Sequence, residues 1–225
     1  MGNKIDFDSE FGAPKKLMDK DFNKLEIDIH PDFQGIYLCF DELLKSHKIK
    51  LNLLIEQQQQ PLQLSVWKDQ TYNRYRVVTD LLKFIYLNDN PQRISLNIYN
   101  YPTDIAQIEH LKQLESRTFL NFLTSYHTDL QKLNPKRMLA MINAYIAAKE
   151  ILDLNKKNSF KPHRKMSLEL FAKLLSLDRN QLNYRIRIAE LPRKNLINQL
   201  EKNSPIIKKM LNNATFELQI NDIWS

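Results

Sequence analysis

The sequence predicts an α+β fold in which a domain built on strands precedes an all-helical part. Three stretches, 62–67, 74–78 and 93–99, carry the pattern of half-buried strands. From Arg117 to about residue 212, apolar residues recur at the spacing of three and four that is typical of helices. The chain has 225 residues, 43% of them hydrophobic, which is enough for one or two domains with a buried core.

The first part of the chain contains the predicted strands. Residues 1–30 lack clear periodicity, so we interpret them as an arm or leader with a short strand near 25–29. Residues 31–120 form the predicted α+β domain. Its elements in chain order are a helix within 33–54, a glutamine-rich loop at 57–60, a hairpin of strands 62–67 and 74–78, a helix at 80–87, a strand at 93–99 and a helix from about 102 to 115.

The second part, residues 121–212, is predicted to be all-helical, with the domain boundary near residue 120. Its elements in chain order are a helix at 118–132, a long helix from the Asn134-Pro135 cap to about 154, a basic linker at 155–165 and a helix-turn-helix at 167–190. Residues 213–225 are a short C-terminal segment, in which the alternating residues 214–220 predict a last strand.

Composition excludes several functional classes. Only three glycines occur, which leaves no glycine-rich loop for a nucleotide site of the Walker or Rossmann type. The single cysteine, Cys39, lies in an apolar stretch and is predicted to be a buried small hydrophobe in a protein of a reducing compartment. The histidines are scattered and form no cluster with acids, so we predict no metal site and no enzymatic activity.

No stretch is long and apolar enough to span a membrane, and the N-terminus carries acids where a signal peptide would carry a basic region. We therefore expect a cytoplasmic protein with no membrane partner.

Positive charge is concentrated in one region. Residues 155–211 contain fourteen Lys and Arg residues against four acids, whereas the rest of the chain contains 19 bases and 22 acids. A local surplus of this kind is the electrostatic signature of nucleic-acid binding, although a solvated basic face is the ordinary alternative.

The basic region contains the pattern of a helix-turn-helix. Ser167 can cap a first helix that runs to about Leu175. Asp178 and Gln181 form a capping box that fixes the start of a second helix, with Leu182, Ile186 and Ala189 facing inward and Leu191-Pro192 at its end. A small residue where the helices cross, Ala172, and an apolar residue in the turn, Leu177, are what this motif needs.

The outward face of the second helix predicts double-stranded DNA as the partner. Its side chains can make bidentate contacts with base edges, and the residues predicted to read bases are Arg179, Asn180, Gln181, Asn183, Tyr184 and Arg187. A second group flanks the motif, and the residues predicted to contact phosphates are Lys161, Arg164, Lys165, Ser167, Arg193 and Lys194. Because one short helix gives little affinity, we expect a homodimer that binds a palindrome.

Residues 170–192, including the closing Glu-Leu-Pro, resemble the helix-turn-helix of the ParB and KorB family of partition proteins and regulators. Upstream, the strands at 62–67, 75–78 and 94–99 and the Glu115-Ser-Arg117 stretch follow the order of that family's sulfiredoxin-like N-terminal domain. The resemblance implies a small ParB/sulfiredoxin-like domain before the helix-turn-helix. It also implies site-specific DNA binding in plasmid or mobile-element partition or in transcriptional repression. The protein would then be associated with nucleoid or plasmid DNA, with a partition ATPase as a further partner.

The sequence departs from that family at the nucleotide-binding signature and in the turn of the helix-turn-helix. The nucleotide-binding signature, a glycine followed by paired arginines, would fall at 78–84, where neither residue type occurs, so we predict no cofactor. Ser176 replaces the usual glycine of the turn, which costs little if its backbone is not left-handed. Glu115 and Arg117 are either remnants of the family's acidic-helix motif or an exposed ion pair.

A second function stays open beside DNA binding. The chain could be a non-enzymatic adaptor that keeps the ParB-like fold and uses its basic face to bind an acidic protein partner.

Overall fold

The computed structural model describes residues 14, 16–46, 62–69, 74–89, 91–101, 104–125 and 133–201. This part of the chain combines one five-stranded sheet with seven α-helices, so the predicted α+β class is confirmed. Several predicted features lie outside the described residues: the end of the helix within 33–54, the loop at 57–60, the end of the helix at 118–132 and the segment 213–225.

The sheet has the strand order β1-β5-β3-β4-β2. Its strands are β1 (Lys16–Asp21), β2 (Ile27–Ile29), β3 (Gln63–Asp69), β4 (Arg74–Val77) and β5 (Arg93–Tyr99). The predicted hairpin of β3 and β4 is antiparallel, and β5 runs parallel to β3. Both outer strands come from the stretch before residue 30, where the sequence indicates only the second of them: β1 pairs with β5 and β2 pairs with β4.

The core is one cluster of buried apolar side chains that extends from the sheet into the helices. Pairing in register places Leu64 beside Leu96 and Val66 beside Ile98, and all four are buried. Helix α1 (Gln34–Ser46) adds Cys39, which is fully buried, as the sequence predicts. Burial raises the pKa of its thiol to about 12, so Cys39 acts as a small hydrophobe in the core.

Helix α2 (Leu81–Asp89) matches the predicted helix at 80–87, but helix α3 replaces two predicted helices with one. It runs from Ile105 to Ser125 and contains neither glycine nor proline, so no residue in it interrupts the backbone hydrogen bonds. The predicted boundary near residue 120 therefore falls inside a helix. On this helix, Phe119 packs edge-on against Phe40 of α1 with ring centroids 5.2 Å apart.

The long helix predicted from the Asn134-Pro135 cap to residue 154 is wrong in its length. The cap is present, because Asn134 accepts a hydrogen bond from the Arg137 N–H at 3.1 Å. The helix then divides into α4 (Pro135–Tyr145) and α5 (Ala148–Lys157). Ile146, between them, has an extended backbone and a buried side chain, and the Ala147 N–H after it donates to Ser116 Oγ of α3 at 3.0 Å.

Three consecutive residues of α3 hold three different partners. Glu115 accepts a hydrogen bond from the Asp80 N–H at 3.1 Å, at the start of α2. Ser116 accepts one from the Ala147 N–H, at the start of α5. Arg117 makes two hydrogen bonds, 2.9 and 3.0 Å long, with the buried carboxylate of Glu150 on α5. The exposed ion pair of Glu115 with Arg117 is therefore wrong, because Glu115 is buried and the two side chains have separate partners.

Candidate nucleic-acid interface

The last two described helices, α6 (Leu168–Leu174) and α7 (Arg179–Glu201), form the helix pair of the predicted helix-turn-helix. The predicted cap of α6 is confirmed, since Ser167 Oγ accepts a hydrogen bond from the Leu170 N–H at 3.1 Å. Leu170, Phe171 and Ala172 are buried, so α6 is fixed to the core along one side.

The turn between the helices is a Schellman motif. The Leu177 N–H donates to the Ala172 carbonyl at 2.9 Å, and the Ser176 N–H donates to the Lys173 carbonyl at 3.0 Å. This pattern places Ser176 in the left-handed region, with φ of 56°. The condition under which a serine costs little here is therefore not met, because residues with a Cβ are strained in that region.

The start of α7 is the predicted capping box. The Gln181 N–H donates to Asp178 Oδ1 at 2.8 Å, and the Asp178 N–H donates to Gln181 Oε1 at 3.0 Å. Two backbone N–H groups that a helix start leaves without partners are satisfied in this way. Both ends of the connection are thus fixed by hydrogen bonds, which holds α7 at a defined angle to α6.

Two predictions for α7 are wrong. The helix does not end at Leu191-Pro192 but continues to Glu201 with Pro192 inside it. A proline within a helix removes one backbone hydrogen bond, here the bond to the Ile188 carbonyl, without always ending the helix. Leu182 and Ile186 face inward as predicted, but Ala189 is exposed because α7 extends beyond the core at this point.

The stretch before α6, predicted as a linker, is tied to the helical core. Its first three residues belong to α5. The side chain of Asn143 exchanges two hydrogen bonds with the backbone of Met166, at 2.7 and 3.1 Å. Asn155, which is buried, donates to the carbonyl of His163 at 2.9 Å. A Lys136–Glu190 hydrogen bond also joins α4 to α7, so the motif is positioned by named polar contacts as well as by apolar packing.

The residues predicted to read bases all lie in the first three turns of α7, but they differ in availability. Asn180, Tyr184 and Arg187 are exposed, whereas Asn183 is half-buried. The other two already have partners. Gln181 uses its amide oxygen in the capping box, and Arg179 donates to Glu169 Oε1 of α6 at 2.9 Å.

The residues predicted to contact phosphates lie before α6, at its cap and in the later part of α7. Lys161, Arg164 and Lys165 are exposed in the stretch before α6, and Lys194 is exposed on α7, 3.7 Å from Glu190. Ser167 keeps its hydroxyl oxygen in the α6 cap. Arg193 lies within α7, but its side chain is outside the described part of the structure.

Glu169 is a candidate functional residue that the sequence does not indicate. It lies in the first turn of α6, and its pairing with Arg179 spans ten positions across the turn. Only the geometry of the two helices brings them together. The residue matters because its carboxylate holds the first cation of the predicted recognition helix.

The start of α2, where the family signature for nucleotide binding would lie, is filled by the chain itself. Glu115 accepts backbone hydrogen bonds there from Asp80 and Leu81. Burial, aided by the nearby Asp80 carboxylate, raises the pKa of Glu115 to about 8. Asp80 has a φ of 57°, so a left-handed residue is present without the glycine. The backbone N–H groups of Asp80 and Leu81 thus donate to the buried carboxyl group of Glu115 and are not directed to solvent.

Two further findings concern only the described ranges. No group of three or more His, Cys, Asp or Glu side chains there has an arrangement that would hold a metal ion. Among the same residues, no helix combines the length and the apolar character that crossing a membrane requires.

No protein-family model matches this chain, and no similar protein was found among curated proteins or among solved structures. The likeness to the ParB and KorB family therefore remains a prediction from the residues quoted above.

Proposed function

We propose that this chain is a site-specific double-stranded DNA-binding protein of the ParB/KorB type, which acts in plasmid or mobile-element partition or as a transcriptional repressor. The observation that carries the proposal is the fixed pair α6 and α7, which are joined by a Schellman turn and a capping box. This arrangement supports a second helix against a core and leaves its other face available for the major groove.

The chemistry of the exposed face fits a duplex. Asn180 and Arg187 offer side chains that pair with adenine and guanine edges, and they lie on the side of α7 away from buried Leu182. Lys161, Arg164 and Lys165 are exposed in the stretch that leads into α6 and suit phosphate contacts. A homodimer that binds two half-sites, with a partition ATPase as a further partner, completes the proposal.

The test is selection of bound duplexes from a random library at physiological salt, followed by titration of the selected sequence against a scrambled duplex. We expect a palindromic sequence with a preference of about a thousandfold or more. A library without enrichment, together with weak binding that disappears as salt rises, would instead favour the adaptor that binds an acidic protein.

Two single substitutions separate base reading from phosphate binding. Arg187→Ala should remove the preference for one site, because this side chain is exposed and has no acid partner among the hydrogen bonds and ion pairs described above. Lys165→Ala should weaken binding to all duplexes about equally and lower the slope of log affinity against log salt by about one. Identical behaviour of the two variants on every sequence would refute base reading by α7.

A further inference from the structure

An apolar stripe continues the polar reading face of α7. Tyr184, Ile188 and Leu191 are 61%, 45% and 38% exposed, although each is large and apolar or aromatic. They follow one another at spacings of four and three, so they lie on the same side of the helix. Leu182 and Ile186, which face the core, lie on the other side. The stripe is therefore not part of the core packing.

The charges around the stripe favour DNA over a second copy of the chain. Arg187 and Lys194 lie along one edge of it and Arg185 along the other, at about 100° of rotation per residue. The acid nearest in sequence, Glu190, lies beyond the Lys194 edge, where it pairs with Lys136 of α4 and lies 3.7 Å from Lys194. A second copy would bring the same cations face to face, whereas a duplex places its phosphates on both edges of a groove that carries apolar methyl groups.

The length and spacing of α7 suit this occupant. The helix has 23 residues, or roughly 34 Å at the usual rise per residue. A long helix that lies along the major groove reads with positions spaced as i, i+3, i+4 and i+7. Tyr184, Arg187, Ile188 and Leu191 have this spacing, and all four are exposed.

We propose that Ile188 and Leu191 are specificity-determining residues, which contact the C5-methyl groups of thymines in the major groove of the target site. The inference rests on the proposed function and goes beyond it, because it names A·T pairs as what the middle of α7 reads. The major-groove edge of thymine differs from that of cytosine by an apolar methyl group, which aliphatic side chains recognise.

The test replaces each thymidine of the selected duplex in turn with 2′-deoxyuridine, which removes only the methyl group. We expect one or two positions at which the wild-type protein binds about three- to tenfold more weakly, the loss that one methyl contact implies. Ile188→Ala should bind the intact site more weakly and lose its sensitivity to deoxyuridine at one of these positions.

Ile197→Ala is the matched control. Ile197 is exposed to a similar degree, 40%, but lies nine positions further along the helix, which at about 100° per residue is the opposite side. It should keep the wild-type response to deoxyuridine.

A wild-type protein that binds its selected site with no loss at any deoxyuridine position overturns the inference while the proposed function stands. The same holds if Ile188→Ala instead abolishes self-association in sedimentation without DNA, which would assign the stripe to a second copy. Failure to select any site would instead refute the proposed function, on which this inference rests.

Discussion

Replacement of Ser176 by glycine should stabilise the protein. Ser176 has a φ of 56°, and a residue with a Cβ in the left-handed region costs roughly 1–2 kcal/mol. Glycine removes that cost but loses about 0.5–1 kcal/mol through the greater freedom of the unfolded chain. The exposed serine side chain makes no hydrogen bond described above, so little else changes. The expected net gain in the free energy of unfolding is about 0.5–1 kcal/mol.

The assay is denaturant unfolding followed by circular dichroism, in which the midpoint should rise while the slope m stays constant. Two variants serve as controls. Ser176→Ala keeps the Cβ and should unfold like the wild type. Ala189→Gly places glycine at an exposed position inside α7 and should lower the free energy of unfolding by about 1 kcal/mol.

The opposite signs of the two glycine variants are the critical result. If Ser176→Gly destabilises the protein as much as Ala189→Gly does, then residue 176 is not left-handed in solution. The Schellman turn between α6 and α7 would then be absent, and with it the structural basis of the helix-turn-helix.

Three further predictions concern other sites. Glu169→Gln should strengthen binding to scrambled DNA and steepen its salt dependence by about one unit of slope, because Arg179 becomes free for a phosphate; an unchanged slope would contradict this. Burial raises the pKa of Glu115 to about 8, so the folded protein keeps a proton that the unfolded chain releases above its ordinary pKa of 4.5. The free energy of unfolding should therefore fall by at least about 1 kcal/mol as pH rises from 5 to 8, and Glu115→Gln should lack this component. Gly35→Ala should cost about 1–3 kcal/mol, because its Cβ would lie 2.3 Å from Cδ1 and 2.8 Å from Cβ of Tyr145, and adding Tyr145→Ala, which removes the ring but keeps that Cβ, should recover only part of the loss.

Features that depend on residues close in sequence could be predicted. The alternation of apolar residues located β3 and β5 within one or two residues of their bounds. The caps of α4, α6 and α7 followed from Asn134, Ser167 and Asp178, since each of these side chains bonds to a backbone N–H three residues ahead. Such contacts leave a signature in the sequence because their spacing is fixed by the geometry of the helix itself.

Features that depend on distant partners could not be predicted. Strand β1 is KLMDKD, four of whose six residues are charged, and only its pairing with β5 makes it a strand. Charged residues on an outer strand also discourage pairing with other chains. At the break between α4 and α5, the Ala147 N–H donates to the hydroxyl oxygen of Ser116, 31 positions away. The residues next to Ile146 do not indicate that a helix ends there. The pairing of Arg179 with Glu169 likewise needs the angle between two helices.

The contacts that α3 makes through residues 115–117 limit where the chain could be divided. A cut or a fusion at residue 120 would split α3. On this helix Glu115 bonds to the start of α2, Ser116 bonds to the break before α5, and Arg117 bonds to α5 itself. Helices α6 and α7 could not then be moved to another protein as an independent unit. Any functional fragment must begin before Ile105, and the amide hydrogens of the sheet and of α5 should exchange with solvent as one cooperative unit.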